Sequence, residues 1–159
     1  MNRRNFLFAT LASGVSAVML PRAVLANPSK MEVFKSPTCG CCSAWVEHMI
    51  SAGFDVVMHD VDQKTLRTIK ARVGVTQELS SCHTAFISGY FIEGHVRAAE
   101  VRQMLSERPN ALGLSVPGMP IGSPGMEMGD QRDTYDTFLV LKNGSTEVFY
   151  RQSAIKTTF

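Results

Sequence analysis

Residues 36–49 read SPTCGCCSAWVEHM and place three cysteines, Cys39, Cys41 and Cys42, within four consecutive positions. A disulfide framework spreads its cysteines so that bridges close long loops, and neighbouring cysteines meet S–S geometry poorly. The cluster therefore reads as chemical rather than structural, and the fold has to present it. The flanking residues indicate how. Met31 to Ser36 is strand-like, and Pro37 forces an extended turn. Ser43 to Ala52 then reads as a helix, with Trp45, Val46, Met49 and Ile50 apolar at helical spacing and Gly53 as its stop. The thiols sit where a strand hands over to a helix.

The rest of the chain continues the alternation. Phe54 to Val61 predicts a second strand. Asp62 is placed to N-cap a helix with Leu66, Ile69 and Val73 on one face and Gly74 as C-cap. Thr84 to Val96 predicts a hairpin about Ser88-Gly89, and Arg97 to Arg108 a third helix stopped by Pro109. The order is β-α-β-α-β-β-α. Val116 to Asp130 holds three prolines, four glycines and three methionines and predicts an irregular loop. Thr137 to Arg151 predicts a last hairpin, turned by Asn143-Gly144, and the chain shows no internal repeat.

Residues 1–26 have the character of an export signal: Arg3 and Arg4 precede an apolar run from Phe6 to Leu20, and the segment ends on the small residue Ala26. The run is short for a membrane span, which needs roughly 20 residues. RRNFL is similar to the twin-arginine signal, with an ordinary secretory signal and an uncleaved anchor as alternatives. Either export route delivers residues 27–159 to the periplasm as one domain large enough for its own core. The leader carries Arg3, Arg4 and Arg22 and no acidic residue, so the formal net charge of +2 becomes −1 after cleavage. That balance argues against a nucleic-acid-binding surface, and with no second long apolar run the cleaved chain has no membrane association. In an oxidising compartment Cys39, Cys41, Cys42 and Cys82 must be bridged, cycling or held on a metal.

The element order, with a C-x-x-C opening the first helix, resembles the thioredoxin fold: a central mixed sheet with flanking helices, here with a C-terminal loop and hairpin extension. HTAFISGYFIEG (residues 83–94) is similar to the glutaredoxin segment in which a cis-proline precedes a strand, but His83 stands at the proline position with Cys82 just before it. That departure weakens a simple disulfide-exchange reading. In such a fold Cys82 arrives beside the other three cysteines, at a helix N-terminus whose dipole favours thiolates. Thiolates select Cu(I), Zn(II) or iron–sulfur clusters. One crowded C-x-C-C plus a distant cysteine is unlike the paired knuckles of structural zinc sites, whereas adjacent thiolates can bridge several Cu(I) ions. Copper is the favoured reading; zinc and a Cys39–Cys42 dithiol/disulfide couple remain open.

The C-x-C-C motif, the SCHT segment (residues 81–84) and the VPGMPIGSPGME loop (residues 116–127) together resemble the CopG-like family of periplasmic copper-resistance proteins, over almost the whole of residues 27–159. The resemblance implies a thioredoxin-like fold, with Cys39, Cys41, Cys42 and Cys82 binding Cu(I) as more than one ion. It also implies an oxidoreductase role, interconverting Cu(I) and Cu(II), in which Cys39 and Cys42 act catalytically. A copper buffer or chaperone without turnover and a thiol–disulfide oxidoreductase are the alternatives. Expected partners are copper ions and periplasmic copper-resistance or electron-transfer proteins. Among secondary candidates, His83 adjoins Cys82 as ligand or hydrogen-bond partner. Met119, Met126 and Met128 either offer thioethers or pack their loop onto the core. His48 lies too far along its helix to share an ion with Cys41, at about 1.5 Å of rise per residue. His59 and His95 have no partner visible in the sequence and read as core or surface residues, and Trp45 and Phe86 as core.

Overall fold

The structure, a computed structural model, describes residues 30–154. The segment assigned above to an export signal lies outside them. Seven strands form one mixed sheet: β1 (Met31–Lys35), β2 (Val56–Asp60), β3 (His83–Ile87), β4 (Tyr90–Glu93), β5 (Ala111–Ser115), β6 (Tyr135–Leu141) and β7 (Thr146–Gln152). Their spatial order is β2-β1-β3-β4-β5-β6-β7. Helices α1 (Gly40–Ser51), α2 (Gln63–Arg72) and α3 (Ala98–Glu107) connect them, with a short 3-10 turn at Gln77–Leu79. The β1-α1-β2 crossover gives a parallel pair, whereas β3 runs antiparallel to both β1 and β4. The fold is thioredoxin-like, extended at one edge by β5, β6 and β7.

The period-two alternation of the strands sorts the apolar residues into two layers. Met31, Val33, Ala85, Ile87, Ile92 and Leu114 face α1 and α3, where Trp45, Val46, Met49, Val101 and Met104 complete the main core. The intervening strand residues Phe86, Phe91, Leu112 and Val140 pack with Val73, Val75 and Leu79 in a smaller cluster. Trp45 is fully buried, and its indole N–H donates to the Val96 carbonyl at 2.8 Å, tying α1 to the connection before α3.

Most elements lie where the sequence places them. Asp62 caps α2 by accepting the Thr65 N–H at 2.8 Å, and the hairpin at Ser88-Gly89 forms. Two expectations need correction. α1 begins at Gly40 rather than Ser43, so Cys41 and Cys42 lie inside the helix's first turn. β5 was not foreseen, because Ala111–Ser115 follows Pro109 and carries Gly113 at its centre, which weakens any strand signal. Gly113 is required by packing: a Cβ there would lie 2.0 Å from the Phe91 carbonyl oxygen of the neighbouring strand.

That contact supplies a test. Gly113→Ala forces two backbones apart and is expected to destabilise the protein by about 2–4 kcal/mol. Gly40→Ala, where a Cβ meets nothing within 4 Å, should stay within about 0.5 kcal/mol of the parent. Urea denaturation of both variants measures this, and equal midpoints would contradict it.

Candidate metal centre

Strand register decides where the thiols meet. Lys35, the last residue of β1, pairs with His83, the first residue of β3, so the chain leaves β1 over the same edge from which β3 enters. Cys39 takes an extended conformation (φ −82°, ψ 94°) as N-cap of α1, and its carbonyl accepts the Ser43 N–H at 3.3 Å. Cys41 Sγ then lies 3.5 Å from Cys39 Sγ and 3.8 Å from Cys82 Sγ. All four Sγ atoms fall within 4.8 Å of one another. Cys39 and Cys42 are joined by a disulfide with their Cα atoms 5.4 Å apart, and Cys41 and Cys82 are free thiols.

Cys82 also faces two imidazoles. His95 Nε2 is 3.1 Å from its sulfur and His83 Nδ1 is 3.4 Å from it. His95 Nδ1 lies 2.8 Å from the Pro124 carbonyl oxygen, an acceptor only, so Nδ1 carries the proton and Nε2 presents its lone pair to Cys82. His83 is completely buried beneath Trp45, with ring centroids 4.4 Å apart, and its Nε2 has no hydrogen-bond partner. This corrects the sequence reading of His95 as partnerless. The signal for it was present: antiparallel pairing of Thr84 with Glu93 continues outward to set residue 95 opposite residue 82.

Burial, reinforced by neighbouring Cys41, pushes the Cys82 thiol up to about 12. The helix-dipole expectation of an easily ionised thiol therefore fails at Cys82, where desolvation dominates. Burial also lowers His95, and lowers His83 well below the usual imidazole range with help from His95 and Lys70. The site rests as a thiol facing two neutral imidazoles, so a metal binding there has to displace the thiol proton.

Two supports hold the cluster. Behind Cys82, the buried Glu93 carboxylate accepts the Ser81 N–H and the Thr84 hydroxyl, each at 2.6 Å, and pairs with Lys70, which also donates to Thr84 Oγ1 at 3.0 Å. Above the cluster runs the Gly- and Pro-rich loop. Gly125 (φ +82°) touches α1 so closely that a Cβ would lie 2.7 Å from both the Cys41 carbonyl and the Trp45 nitrogen. Ser81 Oγ donates to the Gly118 carbonyl.

Other candidates separate. Met119 and Met128 are exposed and do not pack the loop onto the core, while Met126 is half-buried. His48 Nε2 accepts the Ala98 N–H at 3.2 Å at the start of α3, away from the thiols, and His59 stacks on Phe34. Phe86 is half-buried in the smaller cluster. No helix among the described residues is long and apolar enough to cross a membrane.

Fold and site together define a thioredoxin-like protein with a C-x-x-C disulfide and two further thiols converging on one helix N-terminus. Two solved structures, forms 1 and 2 of the copper resistance protein copG, match at 40% identity and a TM-score of 0.74. They cover 80% and 79% of this chain and 99% of theirs. A family profile described as "Protein of unknown function, DUF411" matches residues 79–126. No curated protein sequence gives a significant match. The chain belongs to the CopG family of copper resistance proteins.

The buried Glu93 generates a prediction. Glu93→Gln leaves the Lys70 ammonium unpaired in the interior and removes a charged acceptor from Ser81, and is expected to cost about 3–5 kcal/mol. Chemical denaturation reads this, and a loss below about 1 kcal/mol would place Glu93 outside the site's support.

Proposed function

We propose that this chain is an exported copper-binding protein of copper resistance that holds Cu(I) at Cys39, Cys41, Cys42 and Cys82. In this reading it acts as an oxidoreductase between Cu(I) and Cu(II). The observation that carries the proposal is the convergence of four Sγ atoms within 4.8 Å from two distant chain segments. Four soft donors so close can bridge more than one Cu(I) ion. Kinship with copper resistance proteins favours copper over zinc.

The Cys39–Cys42 pair supplies the redox element. The Cys39 and Cys42 thiolates together give up two electrons on forming the disulfide, which reduces two Cu(II) to two Cu(I), and the reverse step oxidises two Cu(I) while the disulfide is cleaved to thiolates. The charge of each donor follows the same change: thiolates hold Cu(I) and a disulfide does not. Repeated cycling needs an external electron donor or acceptor, for which a periplasmic electron-transfer protein is the proposed partner. The leader, residues 1–26, supports a periplasmic location for the single domain of residues 27–159, with twin-arginine export the favoured route. His83 and Met119, Met126 and Met128 are secondary donors in this proposal.

The disulfide also favours a second reading, thiol–disulfide exchange at Cys39 and Cys42 without copper. One variant separates the two. In a shared cluster Cys82→Ser lowers the copper count and speeds copper loss to a chelator, because ligands acting as a unit are not additive. In a simple dithiol couple Cys82 is a bystander. Reduced parent is expected to take up more than one Cu(I) per chain by elemental analysis, and Cys82→Ser fewer. Equal counts and equal chelator resistance, or stoichiometric zinc in place of copper, would overturn the copper cluster.

Turnover is tested separately. Copper-loaded protein supplied with excess Cu(II) and a reductant is expected to produce Cu(I) many times per chain above the rate of the same mixture without protein, followed with a Cu(I)-specific chromophore, and Cys39→Ser should return the rate to that protein-free background. A single stoichiometric burst would make the protein a copper buffer or chaperone.

A further inference from the structure

We propose that Cys82, His83 and His95 form a second metal site, a mixed sulfur–nitrogen site for Cu(II) that shares Cys82 with the thiolate cluster and is available when Cys39 and Cys42 are joined. It rests on reading the cysteine cluster as a copper centre and adds a separate donor set for the other oxidation state. The three donor atoms lie within 4.8 Å of one another. The His83 and His95 rings stand at 85° with centroids 5.2 Å apart, so two imidazoles approach one sulfur from different directions.

Three observations point to ligation rather than packing. The Pro124 carbonyl holds His95 Nδ1–H at 2.8 Å and thereby fixes the tautomer that aims Nε2 at Cys82. A hydrogen bond from the far ring nitrogen is the usual device for orienting a metal-bound histidine. Next, His83 is fully buried, so its imidazole is held out of water at a desolvation cost that an apolar side chain would avoid, and its Nδ1 faces the Cys82 sulfur at 3.4 Å. The nitrogen it directs to Cys82 is what that cost retains. Lastly, the disulfide withdraws Cys39 and Cys42 as thiolate donors and leaves Cys82 with these two imidazoles and Cys41, 3.8 Å away. Two imidazoles and one thiolate in a trigonal array suit a redox-active copper ion, whereas thiolates alone favour Cu(I). Cys82 is half-buried rather than enclosed, so an ion can reach it.

The test uses residues 27–159 carrying Cys41→Ser, in the Cys39–Cys42 disulfide form, so that Cys82 is the lone thiol and has no intramolecular partner for oxidation by Cu(II). One equivalent of Cu(II) is added without oxygen. The expected result is one bound Cu(II) with an intense visible thiolate-to-copper band and EPR hyperfine structure from two nitrogens. His95→Gln and His83→Gln should each abolish the band or weaken Cu(II) affinity by more than about tenfold. His48→Gln should leave both unchanged.

An EPR-silent sample, a Cu(II) signal lacking two-nitrogen coupling, or histidine variants identical to their parent would overturn the site. If either variant proves unfolded by circular dichroism, the nitrogen coupling of its parent still decides. The Cu(I) count of the fully reduced chain is measured alongside. Uptake of Cu(I) by the reduced chain with no Cu(II) held by the disulfide form would sink this site and leave the cluster standing. The opposite pattern would sustain this site and remove the cluster.

Discussion

Antiparallel pairing of β1 with β3 brings the end of one strand and the start of the other to the same edge of the sheet, with Lys35 opposite His83. Everything at the thiol cluster depends on that register. The chain leaving β1 turns through Pro37 into Cys39, Cys41 and Cys42, and the chain entering β3 delivers Cys82. A slip of one residue would rotate every β3 side chain to the other face, burying Phe86 in place of Ala85 and Ile87. The main core, which Met31, Val33, Ala85 and Ile87 share with α1, therefore guards the geometry of the thiols as well as the stability of the domain.

The site is built of groups that are costly to bury. Lys70, Glu93, Thr84, His83 and His95 are all buried, and most of their polar atoms answer one another or the backbone. The Lys70–Glu93 pair gives the loop before Cys82 a fixed acceptor for its Ser81 N–H, so the thiol is placed by a buried carboxylate rather than by loop packing alone. Such networks fix one arrangement because partial satisfaction is worse than none. The loop of residues 116–130 completes the arrangement from outside, through Gly125 against α1 and the Pro124 carbonyl on His95.

Burial also sets the chemistry. A thiol at a helix N-terminus ordinarily ionises more easily. Cys82 is raised instead, because it meets the cluster from β3, buried beside Cys41 and without a helix dipole of its own. A metal held at Cys82 would therefore have to take the place of the thiol proton. The Cys39–Cys42 disulfide makes the number of available sulfurs depend on redox state, which couples copper binding to electron transfer in the proposed cycle.

The sequence alone carried the element order from β1 to α3, the hairpins at Ser88-Gly89 and Asn143-Gly144, the Asp62 cap and the clustering of Cys39, Cys41 and Cys42. These are local matters, settled by spacing, turn chemistry and capping within a few residues. The likeness to CopG proteins was legible from motifs for the same reason. Tertiary structure alone decided the rest. Gly113 hid β5, because the glycine is demanded by the Phe91 carbonyl of the adjacent strand and by nothing in its own segment. α1 starts at Gly40 because Cys39, extended after the Pro37 turn, caps it, so two thiols lie within a helical turn. The predicted hairpin already set residue 95 opposite residue 82, but the Pro124 carbonyl that aims the His95 ring at Cys82 comes from a loop 29 residues further on. The meeting of Cys82 with Cys41, 41 residues apart in the chain, rests on strand pairing and a shared core, long-range interactions that no window of sequence contains.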